Sequence, residues 1–300
     1  MKKREWMRLS YFGITTVLFH RKVPVIGSII LTDRCNLSCL HCAVNNITSE
    51  LYPYTRIRAD MEGMYADGIR FLLFYGGEPF LWTDDGITLR ELVIEAKKMG
   101  FLVVNVVTNG TFPLDLPEAD LIMVSLDGSR DRHNMIRGDT YDCIIKNIEE
   151  AAADNVCLYM AINHINQEDV EAVCETAKKI RNVKCISFNF HTPYPGTEYL
   201  GLSRKEKKDC CDRIARLIRG GYPILNLKSA LPYVMNNSAK LPCYQCIVVE
   251  NGSRWTCGRC KDIEGLCKEC GFFFATEFSL VFSGNIKVTA DMFKTYSKYF

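Results

Sequence analysis

Cys35, Cys39 and Cys42 are spaced Cys-x3-Cys-x2-Cys, directly after an apolar run with the look of a strand. Three thiolates do not complete the tetrahedral shell of a zinc ion. They suffice for three irons of a [4Fe–4S] cluster and leave the fourth iron open, where a small molecule can bind and receive an electron. The alternative, a zinc knuckle or scattered buried thiols, would not explain the further motifs that recur after each later strand. A second group lies towards the other end, where Cys243 and Cys246, Cys257 and Cys260, and Cys267 and Cys270 form three Cys-x-x-Cys pairs. Two such pairs suffice for a zinc ribbon, so three supply more thiolates than one zinc needs. Cys143, Cys157, Cys174, Cys185, Cys210 and Cys211 are dispersed and read as small core or surface residues.

The elements that must position these groups follow from length and pattern. Three hundred residues fit one large α/β domain or one domain with an appendage. A hydrophobic fraction of 48% supports a sizeable core. A net charge of +2 gives no field for nucleic acid, and no such partner is expected. Fifteen cysteines in close pairs favour metal ligation over a disulfide framework, which implies a reducing cytoplasm. No apolar run approaches the length of a membrane span. Near the start, Lys2, Lys3, Arg4 and Arg8 precede an aromatic stretch, and Met7, Tyr11, Ile14 and Leu18 share one helical face. This segment, 1–22, reads as a helix covering the open end of the domain or, in a second reading, as an interfacial helix giving peripheral membrane contact.

From residue 25 the chain alternates short apolar runs with longer amphipathic stretches. Strands are expected at 25–32, 71–75, 102–108, 121–126, 156–162 and 184–190, each rich in residues that suit burial on both faces. Helices are expected at 55–67, 88–99, 141–154, 167–181 and 203–220. Residues 112–119 carry two prolines and hold at most one helical turn. Units of strand plus connection in series mean parallel strands. In such folds ligands collect at the carboxyl ends of the strands. Gly76, Gly77, Glu78 and Pro79 follow the second strand, Thr108 and Asn109 end the third, and Ser125 and Asp127 end the fourth. Arg137 lies in the helix region that follows.

The triplet and these rim motifs resemble the radical S-adenosylmethionine (radical SAM) enzymes, whose signature is Cys-x3-Cys-x-aromatic-Cys; His41 stands at the aromatic position. The resemblance implies a partial (β/α)6 barrel over 23–220, where pattern alone would also allow a doubly wound sheet. It implies a [4Fe–4S] cluster on Cys35, Cys39 and Cys42. It implies S-adenosylmethionine (SAM) held by Gly76, Gly77, Glu78 and Pro79 at its ammonium, and by Thr108, Asn109, Ser125, Asp127 and Arg137 at its ribose and carboxylate. For single residues the competing reading is turn or cap chemistry: Asn-Gly and Asp-Gly are ordinary turn dipeptides, and Glu78 can cap a helix. The implied activity is reductive cleavage of SAM to methionine and a 5′-deoxyadenosyl radical, with a reductant such as flavodoxin or ferredoxin.

Residues 221–300 form a small cysteine-rich metal-binding module. They resemble the SPASM or twitch extensions of this family, which carry auxiliary [4Fe–4S] clusters, although the full seven-cysteine SPASM pattern is absent. Cys243, Cys246, Cys257, Cys260, Cys267 and Cys270 are its candidate ligands, with zinc as the alternative metal. A β-hairpin is expected from 278–282 and 286–289 around Ser283, Gly284 and Asn285, then a short aromatic-rich helix over 291–300. Three substrate classes stay open: a peptide or protein, a small metabolite, and a lipid or isoprenoid. A different class altogether is a non-catalytic iron–sulfur electron carrier or a zinc-stabilised scaffold, against which the intact run from Gly76 to Pro79 argues.

Overall fold

A computed structural model describes residues 7–8, 11–15, 24–44, 48–236 and 245–300. Cys243 and Leu18 therefore lie outside the described residues. In chain order the main elements begin with β1 (Ile26–Ile30), α1 (Tyr54–Ala66), β2 (Phe71–Tyr75), a small hairpin of β3 (Thr83–Asp84) and β4 (Ile87–Thr88), and α2 (Leu89–Met99). Next come β5 (Val103–Thr108), β6 (Leu121–Ser125), α3 (Arg130–Arg137), α4 (Tyr141–Glu149), β7 (Val156–Ile162), α5 (Val170–Lys179), β8 (Val183–Phe190), α6 (Arg204–Arg219) and α7 (Leu231–Asn236). The cysteine-rich end contributes β9 (Cys246–Glu250), β10 (Ser253–Thr256), α8 (Phe273–Phe282) and α9 (Ile286–Tyr299).

The strands form an eight-stranded sheet in the order β10-β9-β1-β2-β5-β6-β7-β8. Every pairing from β9 to β8 is parallel, and only β10 runs antiparallel, on β9. The six expected strands are present, and the open, mostly parallel arc is a partial α/β barrel. β9 adds a strand beyond them, because Cys246–Glu250 pairs with β1 in register from Ile26 to Ile30.

Strand periodicity divides the sheet into two faces. Leu72, Phe74, Val104, Val106, Ile122, Val124, Leu158, Met160, Ile186 and Phe188 join one hydrophobic cluster with the helices. Alternate positions, among them Ser28, Leu73, Asn105, Ser125, Tyr159, Ser187 and Asn189, face cavities on the opposite, inner side. The helices bury single stripes at helical spacing: Ile57, Met61 and Met64 on α1; Leu89, Leu92, Val93 and Ala96 on α2; Val170, Val173, Cys174 and Ala177 on α5. Capping boxes start α2 at Thr88 and Glu91, and α6 at Ser203 and Glu206.

The hairpin expected at 278–289 does not form. Phe278–Phe282 is the end of α8, and Asn285 caps α9 by accepting from the Val288 N–H at 3.1 Å. A turn signal between two apolar runs fits a helix break as well as a hairpin, and here the flanking runs pack as helices. The real hairpin is β9–β10, turned by Asn251 and Gly252 with both φ angles positive. At the start, residues 7–8 and 11–15 are helical, with Met7, Tyr11 and Ile14 exposed. Among the described residues no helix is long and apolar enough to cross a membrane.

Candidate active site

At the carboxyl ends of the strands lies a cavity of about 540 Å³, whose wall includes Cys35, Cys39, Cys42, Gly76, Gly77 and Arg137. The cysteines stand on the loop that leaves β1. That loop is pinched at its base by a bridge between Thr32 and Leu51. The buried carboxylate of Asp33 accepts from the Thr48 N–H at 2.6 Å and the Thr48 hydroxyl at 2.8 Å.

The glycines after β2 hold this loop from the side. Gly77 N–H donates to the Thr32 carbonyl at 2.8 Å, and Glu78 N–H donates to the Arg34 carbonyl at 2.9 Å. A Cβ on Gly76 would stand 2.2 Å from the Thr32 oxygen, and one on Gly77 2.1 Å from the Arg34 oxygen. The pair therefore allows two backbones to touch while both line the cavity.

Glu78 points away from that cavity. Its fully buried carboxylate accepts from the Thr108 hydroxyl at 2.7 Å, the Asn109 N–H at 2.7 Å and the Phe80 N–H at 3.1 Å. Burial pushes its carboxyl up to about 7, against those hydrogen bonds. Pro79 is buried in the short turn that Glu78 caps. The cap chemistry is thus realised for Glu78, and the groups it braces, Thr108 and Asn109, line the cavity in its place.

The sulfurs are met by donors. Leu37 N–H lies 3.4 Å and Asn109 Nδ2 3.7 Å from Cys35 Sγ, and Arg137 Nη1 lies 3.7 Å from Cys39 Sγ. Asn109 Nδ2 also donates to Asn36 Oδ1 at 2.8 Å. Leu40 N–H donates to the Ile136 carbonyl at 3.0 Å, which ties the loop to α3. Burial raises the Cys35 thiol and pushes Cys39 up to about 11.

Asp127 lies behind the wall rather than in it. Its buried carboxylate accepts from Arg137 Nε at 2.5 Å and from the Ala161 N–H at 2.9 Å. Burial alone would raise its carboxyl, yet the Arg137 guanidinium holds it below the usual range. Burial lowers His41 to about 4, so the imidazole is neutral at pH 7. Arg137 Nη2 sits 3.3 Å from His41 Nε2. The 3.4 Å approach of His41 Nε2 to Asp127 is then a contact and not an ion pair. Ser125 lines the cavity, as do Asn189 and His191, which the sequence places on the rim at or after the sixth strand, and Tyr159, Ala161 and Tyr194, which the sequence does not single out. Their signal is periodicity, since each strand residue among them falls on the inner face.

The cysteine-rich end reaches the same cavity. Cys257 and Cys260 line it, and Cys257 N–H donates to the Cys246 carbonyl at 2.8 Å. Cys246 is buried, Cys270 is partly buried and Cys267 is exposed. Gly271 seats this segment on the rim: Phe190 N–H donates to its carbonyl at 2.9 Å, and its N–H donates to Thr192 Oγ1 at 3.0 Å. The Tyr194 phenol, which lines the cavity with Cys257 and Cys260, is raised by burial and then by Cys260, Tyr75, Cys270 and Cys257. Among the described residues no three His, Cys, Asp or Glu groups are gathered tightly enough for a single metal ion. The front sulfurs instead share one cavity wall with N–H and guanidinium donors, a donor set that suits an anionic iron–sulfur cluster.

Residues 29–194 match the family model described as the Radical SAM superfamily, and the chain belongs to that superfamily. It is 28% identical over 220 residues to the Fe-coproporphyrin III synthase of Methanosarcina barkeri, covering 64% of this chain and 52% of that protein. It is 29% identical over 170 residues to the sporulation killing factor maturation protein SkfB of Bacillus subtilis, covering 51% of this chain and 39% of that one. The chain thus spans about half or less of the length of the curated relatives it matches. Among solved structures, SuiB of Streptococcus suis, crystallised with the precursor peptide SuiA, shares the fold with a TM-score of 0.63 at 11% identity. That match covers 97% of this chain and 72% of SuiB.

Proposed function

We propose that this chain is a peptide-modifying radical SAM enzyme with a second metal centre in its cysteine-rich end. The observation that carries the reading is a single cavity onto which the front triplet, the Gly76–Gly77 backbone, Arg137 and the rear Cys257 and Cys260 all face. Cys35, Cys39 and Cys42 would hold the [4Fe–4S] cluster. When bound, that cluster supplies the electron that cleaves SAM to methionine and a 5′-deoxyadenosyl radical.

The protein's share is positioning. The Gly76–Gly77 backbone, Thr108, Asn109, Ser125 and Arg137 would face SAM, since all line the cavity. Glu78, Pro79 and Asp127 would act behind them: Glu78 by fixing Thr108 and Asn109, and Asp127 by orienting the guanidinium for a carboxylate. Walls from both ends of the chain would keep water from a reactive radical.

Cys246, Cys257, Cys260 and Cys270, with Cys243 and Cys267 as further candidates, would hold an auxiliary [4Fe–4S] cluster, for which zinc is the competing metal. An auxiliary cluster there could take back an electron from an oxidised product. The peptide reading draws on SuiB, crystallised with a precursor peptide, and on the maturation protein SkfB. A one-electron donor of flavodoxin or ferredoxin type would serve as reductant.

Anaerobic incubation of the iron-reconstituted chain with SAM and dithionite tests this. Release of 5′-deoxyadenosine and methionine is expected. A fully iron-loaded protein that leaves SAM intact would instead be an electron carrier.

A further inference from the structure

A second cavity lies beneath the first. About 130 Å³ in volume, it lies between the inner face of the sheet and the two C-terminal helices. Ile26, Phe71, Leu73, Val103 and Met123 line it from the sheet; Phe274, Glu277 and Phe278 from α8; Tyr296 and Phe300 from α9. Val107, Tyr159 and Asn189 line both cavities, so the two adjoin at these three residues. Asn189 Nδ2 donates to the Tyr159 hydroxyl at 2.6 Å, and Asn189 Oδ1 accepts from the Phe273 N–H at 2.7 Å. The residues where the cavities meet are thereby tied to α8, which lines the lower one.

We propose that this lower chamber receives an aromatic or branched aliphatic side chain of the substrate, anchoring the residue next to the one that reacts above. The inference rests on the peptide reading and names the kind of residue the peptide must carry. Its volume is close to that of the cavity of about 150 Å³ that admits benzene in another protein. Small inner-face residues keep it open. Ser28 stands beside Leu73, and Ser187 beside Tyr159, in the sheet register. A larger side chain at either serine would have filled the space, and unfilled volume of this size costs stability. The walls are mainly apolar. Their one carboxyl, Glu277, accepts from the Leu227 N–H at 2.8 Å. Burial pushes that carboxyl up to about 7, so at neutral pH it does not present a full charge to an apolar guest.

Fluorobenzene, followed by fluorine NMR on the full iron-reconstituted chain, is a suitable probe. Saturable binding is expected in the wild type. Ser28→Phe and Ser187→Phe, which fill the chamber, should weaken it by about tenfold or more, in line with the loss of one buried apolar group. Phe274→Ala enlarges the chamber and should admit the larger indole, which guards against reading a misfolded variant as a filled one. N-acetyl-phenylalaninamide should displace fluorobenzene, and N-acetyl-alaninamide should not. Absence of saturable binding in the wild type, equal binding in the filled variants, or equal displacement by the two amides would overturn the proposal. None of these readouts needs SAM or an electron. A failed chamber therefore leaves SAM cleavage intact as a reading, and failed SAM cleavage leaves the chamber result standing.

Discussion

The two cysteine-bearing regions are held in different ways. The front triplet occupies one short loop fixed by main chain: the Thr32–Leu51 bridge at its base, Gly77 and Glu78 from β2, and the Ile136 carbonyl from α3. The rear cysteines are scattered over a strand, a turn and two single 3-10 turns at Arg259–Asp262 and Leu266–Glu269. Cys257 there holds φ at 73°, a left-handed conformation that costs a side-chain-bearing residue about 1–3 kcal/mol. A loop framed by strands keeps its shape whether or not a metal is bound. A segment built from turns would gain order from a metal that it bound, so binding there would contribute to folding.

The largest test of this contrast is chemical. Replacing Cys35, Cys39 and Cys42 together with Ala should remove about four irons and abolish 5′-deoxyadenosine formation, following one-cluster stoichiometry. The thermal midpoint should fall less than in a Cys257, Cys260 and Cys270 triple Ala variant, and the reverse order would break the comparison. Two glycine substitutions sharpen it next. Gly77→Ala drives a Cβ to within 2.1 Å of the Arg34 carbonyl and should deplete front iron first. Gly271→Ala drives one to within 2.0 Å of the Phe190 carbonyl and should deplete rear metal first. Metal content per variant, with the other set of cysteines removed, decides between them.

A smaller effect concerns Glu277 in the rear region. Its folded pKa of about 7 stands above the ordinary 4.5, so the folded state holds the proton more tightly. The resulting stability is complete below 4.5 and is lost as pH rises through 7. From pH 5.5 to 8 the wild type should lose about 2 kcal/mol more than Glu277→Gln in urea denaturation. Equal slopes would mean that the carboxyl is not buried as described. Smallest of all, Cys267→Ser should shift stability by no more than about 0.5 kcal/mol, because the side chain is exposed. A larger loss would place Cys267 among the residues that order the rear segment.

Legibility followed the same division. The six inner strands could be read from apolar runs, and the rim from polar and glycine positions at their ends. Strand ends in a parallel sheet leave little choice of where a loop goes. What sequence does not give is which way a buried polar group turns. Glu78 and Asp127 carry the residue types of ligand contacts, yet each lies behind the wall and braces a group in it: Thr108 and Asn109 for one, Arg137 for the other. At the rear, Asn251 and Gly252 lie among close cysteine pairs and carry a strong hairpin signal. The apolar runs beside Ser283, Gly284 and Asn285 were too short for periodicity to separate strand from helix.

The pairing of β1 with β9 governs the order in which the molecule can be built. β1 bonds on one side to Phe71–Tyr75, which emerges soon after it, and on the other to Cys246–Glu250, more than two hundred residues later. Through most of synthesis, then, the strand that launches the cysteine loop has an unpaired edge, a template for association with other chains. Contacts of such long sequence separation also slow folding. While that edge is bare, the loop that leaves β1 has an open flank. A cluster held by Cys35, Cys39 and Cys42, as proposed, would be loaded most easily before the final quarter of the chain docks.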